Sequence, residues 1–162
     1  MAAASHARLH GSYTQAIAIV GVLSLVVELD KTHTFTTPGD LAKHVEQRLA
    51  YLVTSRPTAV NMAHAATRVT SLAWALAREP GATDSIVRAR LVQEMEGWLE
   101  RDVADNIAVG EAGADAILAG VPEGKRVTIL THCNTGSLAT AGYGTAIGVI
   151  RSLQARGRLA HA

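Results

Sequence analysis

Cysteine, aromatic residues and net charge are all scarce in this 162-residue chain. A single cysteine excludes an internal disulfide framework, so we expect a reducing compartment, the cytoplasm first and the nucleus second. Lys and Arg number 15 against 14 Asp and Glu, a net charge of +1 that gives no general attraction to nucleic acid or to acidic lipid. Partners of those two kinds are therefore not expected.

Alanine is the residue that the chain has in abundance, with 29 copies. Apolar residues make up 48% of the sequence and charged residues 18%, which is typical of a folded globular protein. The length allows one domain, or one and a half. Small, helix-favouring side chains predict closely packed helices rather than a β-sandwich.

The N-terminal part contains an apolar run over residues 16–29. This run is shorter than the roughly 20 residues that cross a bilayer, and no small-residue cleavage site of a signal peptide follows it. We interpret it as a buried helix. Residues 1–15 are predicted to be an unstructured leader.

Two amphipathic helices are predicted next. Asp40 follows a break at Pro38 and Gly39 and is expected to cap the first of them. Pro57 is expected in the first turn of the second. Their apolar stripes are Leu41, Val45, Leu49 and Leu52, then Met62, Ala66, Val69, Ala73 and Leu76.

A third helix is predicted to start at Thr83 or Asp84, and a separate shorter one to cover residues 110–118. The inward positions of the third helix are expected to be Val87, Leu91, Met95, Trp98 and Val103.

The pattern changes after residue 121. Residues 126–131 are β-branched and continuous, which predicts a strand buried on both faces of a parallel sheet. A loop over 132–137 and an Ala/Gly-rich helix toward Arg156 follow. We therefore expect a mainly α helical domain over 16–121, followed over 122–162 by the first β-α unit of a Rossmann-like α/β domain. That domain is expected to be truncated, or to have its remaining strands on another chain.

Cys133 is the first candidate functional residue, because ligands of open α/β sheets bind beyond the carboxyl ends of strands. A helix N-terminus close behind it would stabilise a thiolate or attract a phosphate. Asn134 and Thr135 add short hydrogen-bonding side chains. The alternative is a small buried cysteine. His132 fits a bond to a backbone carbonyl better than catalysis, and a Cys/His hydrolase would need a third orienting group.

Arg56 is the second candidate, since an arginine at a helix entrance can offer its planar fork to a phosphate. The alternative is an ordinary surface arginine. No cluster with the spacing of metal ligands stands out.

The stretch from Thr131 to Gly144, THCNTGSLATAGYG, closely resembles the cysteine motif of methylthioribose-1-phosphate isomerases. Residues 56–61, RPTAVN, resemble the second motif of that family, and the likeness extends over about residues 16–161. The regulatory subunits of the exchange factor for translation initiation factor two share the fold but resemble the chain less at 133–136. Ribose-1,5-bisphosphate isomerases resemble it around 131–133.

The resemblance implies isomerisation of the aldose phosphate 5-methylthioribose 1-phosphate to the ketose 5-methylthioribulose 1-phosphate, a step of methionine salvage. Cys133 would be one member of the catalytic pair. Arg56, Asn134, Thr135 and Gly136 would bind the substrate. The other member of the pair is an aspartate of the family's second domain, beyond the end of this chain. The resemblance implies no metal or organic cofactor, and a homodimer in the complete fold.

The chain departs from the family's sequence pattern in two places, so membership of the family does not by itself imply activity. The family carries Arg-Gly-Ala-Pro where this chain has SYTQ over 12–15, and the second half of the family fold has no counterpart. We therefore expect a fragment or isoform with impaired activity. Two other classes stay open: a non-catalytic interaction protein related to the initiation-factor subunits, and a Cys-dependent hydrolase.

Overall fold

A computed structural model describes residues 15–32, 34–55, 57 and 60–162 of the chain. Its described elements in chain order are α1 (Gln15–Lys31), α2 (Pro38–Ser55), α3 (Val60–Ala77), α4 (Asp84–Leu118), β1 (Val127–Thr128), a short 3₁₀ helix (Ser137–Ala139), α5 (Ala146–Ala155) and β2 (Leu159–His161). The expected mainly helical architecture is confirmed. The predicted leader lies outside the described residues, except for Gln15, which begins α1.

The core lies between α1, α2, α3 and the first half of α4. The expectation of a buried N-terminal helix is confirmed, since Val22, Leu25 and Leu29 are almost fully buried. Gly21 lets α1 approach α3, because a Cβ at this position would lie 2.7 Å from Sδ of Met62. Burial of the apolar side chains in this core is the main favourable contribution to the free energy of folding of the bundle.

Helix α2 begins three residues earlier than expected. Asp40 lies inside the first turn of α2, and Thr37 precedes the helix. The Thr37 hydroxyl accepts from the Asp40 amide at 3.1 Å, while Oδ2 of Asp40 accepts from the Thr37 amide at 3.1 Å. This reciprocal pair is a capping box, which leaves Pro38 at the first helical position, where its missing N–H costs nothing.

The apolar stripes of α2 and α3 were predicted correctly. Of the nine residues named for them, eight are buried and Leu52 packs against the core from a half-buried position. The start of α3 was predicted wrongly. Pro57 is a turn residue, and the helix begins at Val60.

Helix α4 is one continuous helix of 35 residues, so the prediction of a separate helix over 110–118 is wrong. Thr83 caps it as expected, accepting from the Ile86 amide at 3.3 Å. No proline interrupts the stretch from Asp84 to Leu118. Gly110 does not break the helix because α5 packs on it there, and a Cβ on Gly110 would lie 2.9 Å from the carbonyl oxygen of Gly148.

Strands β1 and β2 form a parallel pair, with Val127 opposite Leu159. Strand β2 was not predicted. Its presence makes this part of the chain a β-α-β unit rather than a single β-α unit. The prediction of a doubly buried strand over 126–131 is wrong: β1 has two residues, and Leu130 is 97% exposed. Pairing ends where the Ile129 amide donates to the carbonyl of His161 at 3.0 Å, because β2 ends there.

Candidate active site

Cys133 lies in a turn beyond the end of β1 and is exposed. Its φ is +78°, and within the described part of the chain it is the only non-glycine residue in the left-handed region. Residues other than glycine rarely adopt this backbone conformation, because it is strained. Backbone strain of this kind is concentrated at functional sites. In this structure Cys133 is therefore not a small buried cysteine.

The helix expected directly after the cysteine loop begins later in the chain. A 3₁₀ helix starts at Ser137, and α5 begins only at Ala146. The glycine-rich segment between them, residues 140–145, was predicted as part of one long helix, but it folds back on the cysteine turn. Backbone hydrogen bonds from the entrance to α5 hold the turn in place.

The Thr135 carbonyl is the main backbone anchor of the turn. It accepts from the Thr145 amide at 2.9 Å and from the Ile147 amide at 3.4 Å, at the entrance to α5. Gly144 has a φ of +88°, and a Cβ on it would lie 2.8 Å from the Thr135 carbonyl oxygen. Only glycine fits this contact without displacing the backbone.

Thr140 organises the glycine-rich segment from within. Its buried hydroxyl accepts from the Gly142 amide at 3.3 Å and from the Gly144 amide at 3.0 Å. One side chain thus fixes two glycines whose backbone would otherwise be free.

Asp102 reaches this segment from α4. Its side chain is buried, and Oδ2 accepts from the Ala141 amide at 2.6 Å. Val103 was predicted to face inward here, yet it is only half-buried, whereas Asp102 is buried. A signal was available: Asp102 follows Met95 by seven residues, which is about two helical turns, and Asn106 and Gly110 follow at intervals of four.

Burial raises the pKa of the Asp102 carboxyl above its ordinary value of 3.8, and the charge of Asp105 adds to the rise. The Ala141 amide and the neighbouring Asn106 amide oppose this shift of the pKa. The Asn106 side chain also donates a bond of 2.7 Å to the Asp102 backbone carbonyl. Oδ1 of Asp102 is buried and lies within hydrogen-bond distance of no donor among the residues that the structure describes.

The predicted site residues Cys133, Asn134, Thr135 and Gly136 lie together in the turn, and Asn134 is also exposed. The Thr135 hydroxyl is buried and has no hydrogen-bond partner within the described part of the chain. Arg56 lies outside the described residues. An exposed thiol beside backbone and amide groups can exchange a proton with a bound small molecule. Among residues 15–32, 34–55, 57 and 60–162, no three His, Cys, Asp or Glu side chains are grouped as a metal site, and no helix could span a membrane.

Three features together define the class of protein. They are the helical bundle, the parallel β-α-β unit that follows it, and the strained cysteine turn after the first strand. The chain belongs to the Initiation factor 2 subunit family, whose model matches residues 8–162.

Curated relatives and solved structures agree with this assignment. The chain is 48% identical over 152 residues to the methylthioribose-1-phosphate isomerases of Drosophila persimilis and Drosophila pseudoobscura pseudoobscura. The match covers 90% of this chain and 42% of each relative, so the chain spans less than half of their length.

Two crystal structures are similar to the chain, each at 29% sequence identity. The 5-methylthioribose 1-phosphate isomerase of Pyrococcus horikoshii matches with a TM-score of 0.70 over 90% of this chain and 38% of that protein. Translation initiation factor eIF-2B, subunit delta, of A. fulgidus matches with a TM-score of 0.68 over 94% of this chain and 41% of that protein.

Proposed function

We propose that the chain carries the cysteine half of an active site that isomerises 5-methylthioribose 1-phosphate to 5-methylthioribulose 1-phosphate, an aldose–ketose isomerisation. The observation that carries the proposal is the exposed Cys133 in its left-handed turn, within the motif by which the chain resembles the isomerases. The identity of 48% to two isomerases supports it.

The proposed chemistry follows from the substrate. Its phosphate blocks the anomeric carbon, so the ring must open before or during the reaction, which requires an acid at the ring oxygen. Hydrogen must then move between C1 and C2. We assign Cys133 to this step as an acid/base or as a stabiliser of the transition state, because its thiol is accessible and can carry a proton.

Asn134, Thr135 and Gly136 are proposed to contact the substrate around the reacting carbons. Arg56 is proposed to bind the phosphate, where a planar guanidinium can make two parallel charge-assisted hydrogen bonds. No step is assigned to a metal or an organic cofactor.

A chimera tests the proposal. The matching segment of the Drosophila persimilis isomerase is replaced by this chain, and conversion of the sugar phosphate is followed by NMR. We expect turnover, and we expect Cys133→Ala to reduce it by about 10²–10⁴-fold, the usual contribution of a positioned proton carrier. Thr67→Ala, an exposed change on α3, is the control. A Cys133→Ala chimera as active as its parent would refute the role of Cys133.

Arg56→Ala in the same chimera tests the phosphate contact. A charge-assisted hydrogen bond contributes about 1.5–3 kcal/mol, so KM should rise by about 10- to 100-fold with a smaller effect on kcat. The matched control is Arg78→Ala, at the far end of α3, which should leave KM unchanged. Equal KM values in both variants would identify Arg56 as an ordinary surface residue.

A second candidate is a non-catalytic interaction protein, favoured by the match to the eIF-2B delta subunit over 94% of the chain. The chimera separates the two, because a domain of this second kind would give a folded but inactive chimera. The higher identity to isomerases makes catalysis our first proposal.

The broader assignments are also proposals. Residues 16–121 are proposed to form one domain, and residues 122–162 the start of a Rossmann-like second domain, as the parallel pairing of β1 and β2 supports. The partner of Cys133 would be an aspartate of that second domain. We propose a cytoplasmic homodimer of the complete fold that binds no nucleic acid.

A further inference from the structure

Asp102 joins α4 to the glycine-rich segment across 39 residues of sequence. Its carboxylate is one of few polar groups that are buried among the described residues, and it accepts from Ala141 at 2.6 Å. The bond is charge-assisted when the carboxylate is ionised, and it is the kind of contact that fixes a backbone position firmly.

From Ala141 the connection continues to the cysteine turn. The adjacent Thr140 holds the Gly144 amide at 3.0 Å, and Gly144 lies against the backbone of Thr135 and Gly136. A displacement of Ala141 would therefore move the residues that follow Cys133 directly in sequence.

The other end of the connection is fixed as well. Asn106 holds the backbone carbonyl of Asp102 at 2.7 Å, one turn along α4. Another turn on, Gly110 lies in contact with Gly148 of α5. Asp102 therefore projects from a part of α4 that cannot easily shift toward or away from the segment.

A carboxylate is a costly choice for a purely structural role at this place. A buried ionisable group with one unpartnered oxygen destabilises the fold, and apolar residues of similar size often replace such groups without loss of stability. Buried groups that destabilise a fold in this way are concentrated at functional sites.

We propose that Asp102 is a positioning residue, which holds Ala141 and through it the strained turn of Cys133 in the geometry that the thiol needs. The role rests on the proposed function of Cys133. Its test uses no sugar phosphate, so a failure here and a failure of the isomerase proposal are distinguishable.

The experiment uses the complete 162-residue chain, in which Cys133 is the only thiol. Two quantities are measured: hydrogen exchange at the Ala141 amide, and the rates of alkylation by neutral iodoacetamide and by anionic iodoacetate. In Asp102→Ala we expect Ala141 to exchange about tenfold faster or more, since its acceptor is gone. We also expect the ratio of the two alkylation rates to change by at least about threefold, because the groups around the thiol move.

Asp102→Asn should stay within about twofold of the wild-type ratio, because an amide oxygen can still accept from Ala141. Met95→Ala is the control for general loss of stability, since Met95 is buried in the same helix within the bundle core. Its alkylation ratio should equal that of the wild-type chain.

Three results would overturn the proposal: an unchanged ratio in Asp102→Ala, a ratio in Asp102→Asn that moves as far as in Asp102→Ala, or an equal change in Met95→Ala. If Asp102→Ala does not fold, Thr140→Val takes its place and interrupts the same connection at Gly144. An unchanged ratio in that variant would overturn the proposal equally.

Discussion

Gly144 lies directly against the carbonyl oxygen of Thr135, so closely that a Cβ would approach the oxygen to 2.8 Å. With a φ of +88°, Gly144 also adopts a conformation that is unfavourable for any side chain. The cysteine turn and the entrance to α5 are therefore held together at a place that admits only glycine.

Gly144→Ala is expected to reduce the free energy of unfolding by about 1–3 kcal/mol, through strain at positive φ and the clash with Thr135. Urea unfolding measures the loss. Gly120→Ala is the matched control, since nothing lies within 4 Å of a Cβ there and its φ is not positive. A loss no larger than in Gly120→Ala would mean that the contact relaxes without cost.

The apolar stripes and the cysteine motif could be predicted from the sequence because each depends on local information. Val87, Leu91 and Met95 repeat at helical spacing, and the residues of the turn are contiguous in the chain. Their positions needed no knowledge of distant partners.

Helical spacing could place Asp102 on the inward face of α4, but the contact that it makes there could not be predicted in the same way. An aspartate on an apolar stripe is expected to face water, and only its bond to an amide 39 residues away explains why Asp102 is buried. The same holds for β2, because three residues at 159–161 form a strand only through pairing with β1. Gly110 was predicted to begin a separate helix, although packing against Gly148 makes a glycine favourable inside the continuous α4.

Asp102 should make the stability of the fold depend on pH. Because burial raises its pKa in the folded chain, its contribution is most favourable below the ordinary value of 3.8 and is lost as the pH rises through the raised value. Asp102→Asn should therefore be more stable than the wild-type chain at pH 7, and the difference should narrow as the pH falls toward 3.8. Urea unfolding as a function of pH measures this, and a difference that widens in acid would contradict it.

Arg156 should make the stability of the fold depend on pH in the opposite direction to Asp102. It pairs with Glu111 and Asp115 of α4, and its hydrogen bond lowers the pKa of Glu111. The contribution of the pair is present above the ordinary glutamate pKa of 4.5 and is lost as the pH falls through the lowered value.

Arg156→Met should speed hydrogen exchange of the α5 amides at pH 7, and the variant and wild-type chains should converge in acid. Arg90→Met is the control, since Arg90 pairs with Glu79 and has no bond to α5. If Arg90→Met affects α5 equally, the pair with Glu111 does not hold the helix.

Leu130 and Leu138 should make the isolated chain associate with itself, because these large apolar side chains are 97% and 84% exposed. Sedimentation at increasing concentration should give an average mass above 17.0 kDa. Leu130→Ser should lower it, whereas Val20→Ser, at a 67% exposed position on α1, should not. A mass of one chain at all concentrations would show that the exposed leucines form no contact.

The 162-residue chain on its own should isomerise 5-methylthioribose 1-phosphate at least about 100-fold more slowly than a full-length relative. Cys133 is exposed, so bound substrate would stay in contact with water and would not be held in register. The resemblance also pairs Cys133 with an aspartate of the second domain, and the loss of a positioned proton carrier costs about 10²–10⁴-fold in rate. Turnover of the purified chain, followed by NMR beside the Drosophila enzyme, measures the difference. A rate close to that of the full-length enzyme would place the acid/base partner within these residues, and Asp102, whose buried carboxyl lacks a partner at Oδ1, would be the first residue to replace.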